Sequence, residues 1–195
     1  MAARASKMTD EKSNKGFCIW LMGLSASGKT TLAHLLKKKL VDWGLIIEVL
    51  DGDVVRSTIS KELGFTRSDR ETHLRRIASM VKSLIDQQII VIVAAICPYQ
   101  TIREELRFQI GDFVEVYLNC PIEICIQRDP KGLYRKALAG KIKNFTGIDD
   151  PFETPYRPEI VIKTDEESPD ESLERLLVGL KALKRFPPAL QSGYK

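Results

Sequence analysis

The sequence predicts an α/β protein: a five-stranded parallel sheet with helices on both faces. Three observations lead there. Five short apolar runs recur along the chain, amphipathic helical patterns lie between them, and two of the runs are almost continuously apolar. Strands buried on both faces read that way, and strands that alternate with helices favour parallel pairing through crossover helices.

Taken in order, the strand candidates are "FCIWLM" (17–22), "LIIEVL" (45–50), "IIVIVAAI" (89–96), "FVEVYL" (113–118) and "EIVIKT" (159–164). The first and third are the near-continuous ones. A helical pattern over 29–42 follows the first strand. A second, over 69–87, sets Leu74, Ile77, Val81, Leu84 and Ile85 on one face, with Thr66 and Asp69 spaced as a capping box ahead of it. Residues 99–109, 121–128 and 170–184 give three more helices. The stretch 129–158 breaks the rhythm. It is rich in Lys, Gly, Pro and Asp, lacks long apolar periodicity, and sits between the fourth and fifth strands. A polar insertion there is expected to be a functional lid.

The chain has 195 residues, 44% of them hydrophobic, which suits one domain with a full core. The domain is expected over 16–186, between an N-terminal tail (1–15) and a C-terminal tail (187–195). Thirty basic and 26 acidic residues leave a formal charge of +4, too small to argue for nucleic acid. Cys18, Cys97, Cys120 and Cys125 have no metal-ligand spacing and read as reduced thiols of a cytoplasmic protein. The N-terminus lacks an apolar signal region, and Asp10 and Glu11 weigh against a transit peptide. No run reaches the roughly 20 apolar residues of a membrane span.

The most informative stretch is "GLSASGKTT", Gly23, Leu24, Ser25, Ala26, Ser27, Gly28, Lys29, Thr30 and Thr31. Gly23 to Thr30 match G-x-x-x-x-G-K-[ST], between an apolar strand and a helix. Glycines let the backbone close around phosphate oxygens, and successive N–H groups form an anion nest at a helix N-terminus. Lys29 is placed to bridge the β and γ phosphates, and the Thr30 hydroxyl to ligate Mg²⁺. The ligand expected is a nucleoside triphosphate, ATP.

No acid follows the third strand, which ends "AAICPYQ", and no guanine-reading Asn-Lys-x-Asp is present. The acids come after the second strand, in "LDGDVVR". Asp51 and Asp53 flank Gly52 at the C-terminal edge of the sheet, where doubly wound folds bind ligands. An acid there accepts a proton from an attacking hydroxyl or organises Mg²⁺ water. Arg56 follows within a turn. Arg70 lies on the apolar face of its helix near the N-terminal end, so it projects toward a cleft, with His73 beside it. In the insertion, Arg128, Lys131, Lys141 and Lys143 are candidates to close over a triphosphate, and Phe145 to stack on a base.

These residues resemble the adenylylsulfate kinases (APS kinases). The resemblance is carried by "GLSASGKTT", "LDGDVVR", "LGFTRSDR", "RDPKGLYRKALAG" and "NFTGIDDPFE", in order from about residue 16 to 165. It implies a P-loop kinase fold, a homodimer, and ATP- and Mg²⁺-dependent phosphorylation of the ribose 3′-hydroxyl of adenosine 5′-phosphosulfate (APS). The product would be PAPS, the activated sulfate donor of sulfate assimilation. By the same resemblance Gly23 to Thr31 hold the ATP phosphates, Asp53 is the base and Asp51 stands near Mg²⁺. Arg56 and Arg70 grip the phosphosulfate, and Phe65 and Phe145 sandwich the acceptor adenine. Ile96 marks a backbone contact, and Lys131 reaches the acceptor.

The chain departs from the family pattern at four places. Val54 stands where the family has Asn after Asp-Gly-Asp. His73 stands at an Asn that touches the acceptor, and is read either as its substitute or as a packed helix residue. Cys97 replaces a serine, so it is not the phosphoserine proposed for some members. Asn144 replaces the Gly before "FTG". These changes keep two further readings open: a paralogous kinase with another nucleotide-like acceptor, such as a CDP-linked phosphoramidate, and a non-catalytic ATP-binding regulatory protein.

Overall fold

A computed structural model describes residues 15–187 and residue 190. The expected N-terminal tail, apart from Lys15, and most of the expected C-terminal tail lie outside the described residues. Five strands, β1 (Cys18–Met22), β2 (Ile47–Asp51), β3 (Ile90–Ala94), β4 (Phe113–Asn119) and β5 (Ile160–Lys163), form one sheet of order β2-β3-β1-β4-β5. Every pairing is parallel. Strand β1 is central, and each of its residues is buried, as is each residue of β3. That is the physical content of their continuous apolar runs.

The pleat sorts the core into two layers. Ile19 and Leu21 face one side with Ile92, Val114 and Val116, under helices α1 (Lys29–Asp42) and α7 (Pro169–Ala182). Cys18, Trp20 and Met22 face the other with Val91 and Val93. Helices α3 (Arg67–Ile85) and α4 (Gln100–Ile110) cover that side with Leu74, Ile77, Ala78, Val81, Ile102 and Leu106. The Thr66–Asp69 capping box forms as the sequence predicts. All four cysteines are free and buried.

Three short helices complete the described chain: α2 (Gly52–Thr58), α5 (Ile122–Arg128) and α6 (Leu133–Leu138). Helix α6 lies inside the insertion. The far end of the insertion is fastened by a buried arginine. Arg103 of α4 is 1% exposed and donates to the carbonyls of Cys97 (2.8 Å), Pro98 (3.1 Å) and Glu153. Its guanidinium lies over the Phe152 ring, 5.3 Å from the centroid. Glu153 N–H donates to the Pro98 carbonyl at 2.8 Å, closing the joint.

Candidate active site

The C-terminal ends of β1, β2 and β3 open into one cavity of about 1230 Å³. Two sets of residues line it. From the loop after β1 come Ser25, Ala26, Gly28, Lys29, Thr30 and Thr31; facing them are Asp51, Asp53, Arg56, Phe65, Arg70 and His73. The insertion closes the space with Lys131, Lys143, Asn144 and Phe145, and Ile96 adds to the wall.

The loop is shaped by its small residues. A Cβ on Gly23 would stand 2.6 Å from the Leu118 carbonyl oxygen of β4, so the backbone crosses there only without one. Gly28 has φ 93°, a left-handed turn that leads directly into α1. The Lys29 ammonium donates to the carbonyls of Gly23 (3.1 Å) and Leu24 (2.6 Å), and the loop thus wraps its own cation. Burial lowers the Lys29 pKa to about 8, against the opposing pull of Asp53. Tyr134, which the sequence reading missed, braces the loop from α6: its hydroxyl donates to the Ser25 carbonyl at 3.1 Å. Its ring packs edge-on against Phe145, centroids 5.0 Å apart. Gly23, Leu24 and Ser27 do not line the cavity. Ser27 is fully buried and Leu24 packs toward Gly147 and Ile122.

Two oxygens meet where the loop ends. The Thr30 hydroxyl donates to Asp51 Oδ2 at 2.9 Å, while Asp51 Oδ1 accepts from the Asp53 N–H at 2.9 Å and so caps α2. Among the described residues no three His, Cys, Asp or Glu side chains cluster as a metal cage. A hydroxyl and a carboxylate beside a phosphate nest do fit Mg²⁺, a hard cation that takes its remaining oxygens from water and phosphate. Asp53 itself pairs with Lys131, whose pKa it raises.

Opposite lies a basic, aromatic group. The Arg56 guanidinium sits 5.0 Å from the Phe65 ring centroid and the Arg70 guanidinium 5.7 Å. Arg56 donates to the Gly64 carbonyl at 2.8 Å; Arg70 Nε donates to the Phe65 carbonyl at 3.1 Å, and its Nη2 to that of Asn144. Burial and the neighbouring Arg70 lower the Arg56 pKa, as two cations facing one space must. Phe65 is 51% exposed, an aromatic face left bare at the cavity rim. The two phenylalanines singled out from the sequence therefore line one space, as do both arginines.

The departures from the family pattern separate into two kinds. Val54 is 60% exposed on α2, Cys97 is wholly buried, and neither lines the cavity. Asn144 and His73 do. Asn144 has φ 55°, the left-handed region that glycine takes freely and asparagine tolerates best among other residues, so the backbone shape needs no glycine. His73 is buried, with Nδ1 3.1 Å from Ser60 Oγ. Burial, then the charge of Arg56, lowers its pKa to about 4, so the ring is neutral near pH 7. It is thus both packed within the helix layer and present at the cavity wall. Of the insertion cations, Lys131 and Lys143 line the cavity and Lys141 does not. Arg128 lines it while donating to the Thr164 carbonyl beyond β5.

A family model described as adenylylsulphate kinase matches residues 15–163. The adenylyl-sulfate kinase of Rippkaea orientalis is 51% identical over 169 residues, covering 87% of this chain and 93% of that protein. Among solved structures, the Mycobacterium tuberculosis APS kinase CysC in complex with AMPPNP and APS superposes with TM-score 0.81 at 39% identity, over 86% of this chain and 98% of that one. The hexameric APS kinase from Thiobacillus denitrificans gives TM-score 0.68 at 29% identity, over 89% of this chain and 30% of that one.

Proposed function

The chain belongs to the adenylylsulphate kinase family, and we propose that it transfers the γ-phosphoryl group of ATP to the ribose 3′-hydroxyl of APS, giving PAPS and ADP. The observation that carries this reading is the single cavity. It has a phosphate nest at one end, two arginines and two phenylalanines at the other, and Asp53 between them. In-line transfer needs two anionic nucleotides nose to nose, with the acceptor oxygen close to the γ-phosphorus.

The roles follow from position. N–H groups of the 23–31 loop and the Lys29 ammonium take the ATP phosphates and the charge that develops on them. Thr30 and Asp51 would hold Mg²⁺, which when bound supplies electrostatic neutralisation between the phosphates. Asp53 takes the proton as the 3′-hydroxyl attacks; the γ-phosphorus–oxygen bond forms, the bond to the ADP oxygen breaks, and ADP leaves. Arg56 and Arg70 bind the phosphosulfate. Phe65 and Phe145 flank the adenine. His73, the Ile96 backbone, Lys131 and Asn144 complete the acceptor contacts.

Incubating the purified protein with ATP, Mg²⁺ and APS should yield PAPS by mass. Absence of PAPS, with transfer to a CDP-linked or other nucleotide in a parallel panel, would establish the paralogous reading that His73 and Asn144 keep in view. ATP binding with transfer to no acceptor would establish the regulatory one. We assign the reaction to the cytoplasm, on the free, buried cysteines and the use of ATP; among the described residues no helix is long and apolar enough to cross a membrane. We assign a homodimer from the family resemblance, and sedimentation of the pure protein tests it.

A further inference from the structure

Arg70 is held from behind by a carboxylate in the insertion. The Tyr99 hydroxyl donates its one proton to the Asp150 carboxylate, 2.8 Å from Oδ1 and 2.9 Å from Oδ2. The Thr146 hydroxyl approaches Oδ2 at 3.4 Å, and Arg70 Nε lies 3.8 Å from the same oxygen. The Asp150 and Arg70 side chains are 15% and 12% exposed, and the Tyr99 residue 1%. Asp150 is therefore a nearly dry carboxylate whose charge is met by one guanidinium and two hydroxyls. It does not line the main cavity, whereas Arg70 does.

The same residue folds the insertion around itself. Its carbonyl accepts from the Gly147 N–H at 2.7 Å, and Thr146 and Asp150 form an isolated bridge. The turn so closed begins at Asn144 and Phe145, whose N–H groups are held by Asp149, and the Asn144 carbonyl is the second acceptor on Arg70. Tyr99 belongs to the segment just after β3, and the Arg67 guanidinium lies over its ring at 4.3 Å. One carboxylate thus joins the segment after β3, the first turns of α3 and the insertion.

We propose that Asp150 is a positioning residue for acceptor binding: it fixes the Arg70 guanidinium and ties that pose to the seating of the insertion. This rests on the reading of Arg70 as the phosphosulfate ligand. A guanidinium held by a carboxylate and two carbonyls loses little further freedom on gripping an anion. Replacing the carboxylate by an amide leaves Arg70 held by the Phe65 and Asn144 carbonyls alone and gives the Tyr99 hydroxyl a weaker, neutral acceptor.

A double-mutant cycle tests the inference. The dissociation constants of APS and ATP are measured for the unsubstituted protein, Asp150→Asn, Arg70→Ala and the double variant, with thermal unfolding as a fold control. Loss of this partly buried ion pair predicts an APS dissociation constant about tenfold weaker for Asp150→Asn, with ATP within about twofold. In the Arg70→Ala background, Asp150→Asn should add less than about twofold. A merely structural role would weaken both nucleotides alike and persist without Arg70, and either result overturns the inference. Tyr99→Phe, which keeps the ring and removes only the hydroxyl, should shift APS binding in the same direction by a smaller factor; it carries the test if Asp150→Asn fails to fold, and an unchanged APS constant there overturns the inference. If Arg70→Ala alone leaves APS binding intact, the acceptor role of Arg70 falls, and the inference with it. Absence of APS binding by the unsubstituted protein refutes the proposed function itself.

Discussion

The two halves of the cavity are built differently. The phosphate nest is one stretch of nine residues running from the end of β1 into the first turn of α1, shaped by local backbone turns and a lysine that folds back on its own loop. The acceptor half is gathered from α2, the α2–α3 connection, α3, the end of β3 and the insertion. A local device is stabilised by the fold of a single segment. A gathered one depends on each segment being held, which is why Tyr99, Arg103 and Asp150 spend their polar groups fastening loops rather than facing the cavity.

Substitutions can break or sharpen that contrast. The largest effect is expected at the seam. Asp53→Asn should leave folding and both binding constants nearly intact and lower kcat by about 10³-fold, within the range of a lost general base. Near-normal turnover in a folded variant would remove Asp53 as the base. On the nest side, Lys29→Ala should reduce kcat/KM for ATP by about 10²-fold and leave APS affinity within a small factor. An equal loss for both nucleotides would mean that the halves are not separable. On the acceptor side, Phe65→Ala should raise the KM for APS by about tenfold through lost stacking, with the ATP value unmoved. Steady-state kinetics with each substrate varied in turn reads all three.

The last effect is on acid stability rather than on turnover. His73 has a folded pKa of about 4 against about 6.5 unfolded. Between those values the unfolded chain binds the proton and the native one does not, so stability falls as pH drops from 6.5 toward 4 and is fully present above 6.5. The loss should reach on the order of 2 kcal/mol at pH 4, and His73→Asn should flatten that limb of the curve. Denaturant melts at pH 7 and pH 4.5 on both proteins would check it, and an identical acid loss in His73→Asn would discharge His73 from the effect.

The nest was the part most legible in the sequence, because its chemistry and its geometry occupy the same few residues. The helix over 29–42 was read with its observed limits, and the five strands were found in order. Arg70 was placed toward the cavity from helical spacing alone. Helix α6 was not read, because its six residues sit inside a stretch rich in Lys, Gly, Pro and Asp, and α2 was not read either, although α5, no longer than α2, was. Tyr134 went unread with α6. Asp150 was quoted within a motif but given no task, since its partners Tyr99 and Arg70 lie 51 and 80 positions away in the numbering and no local pattern announces such a meeting. The preference of Asn144 for a left-handed backbone is the kind of signal that a sequence does carry once the turn is known.

The Arg103 joint has a practical consequence for anyone re-engineering the insertion. Residues 138–141 are solvent-facing, and since Gly140 itself has φ 71°, an insertion beside it suits the backbone better than a side chain on it. A peptide tag or fluorophore grafted there hangs in open water with the abutments on either side untouched, whereas the same graft at 150–153 would pull out the masonry on which the roof rests.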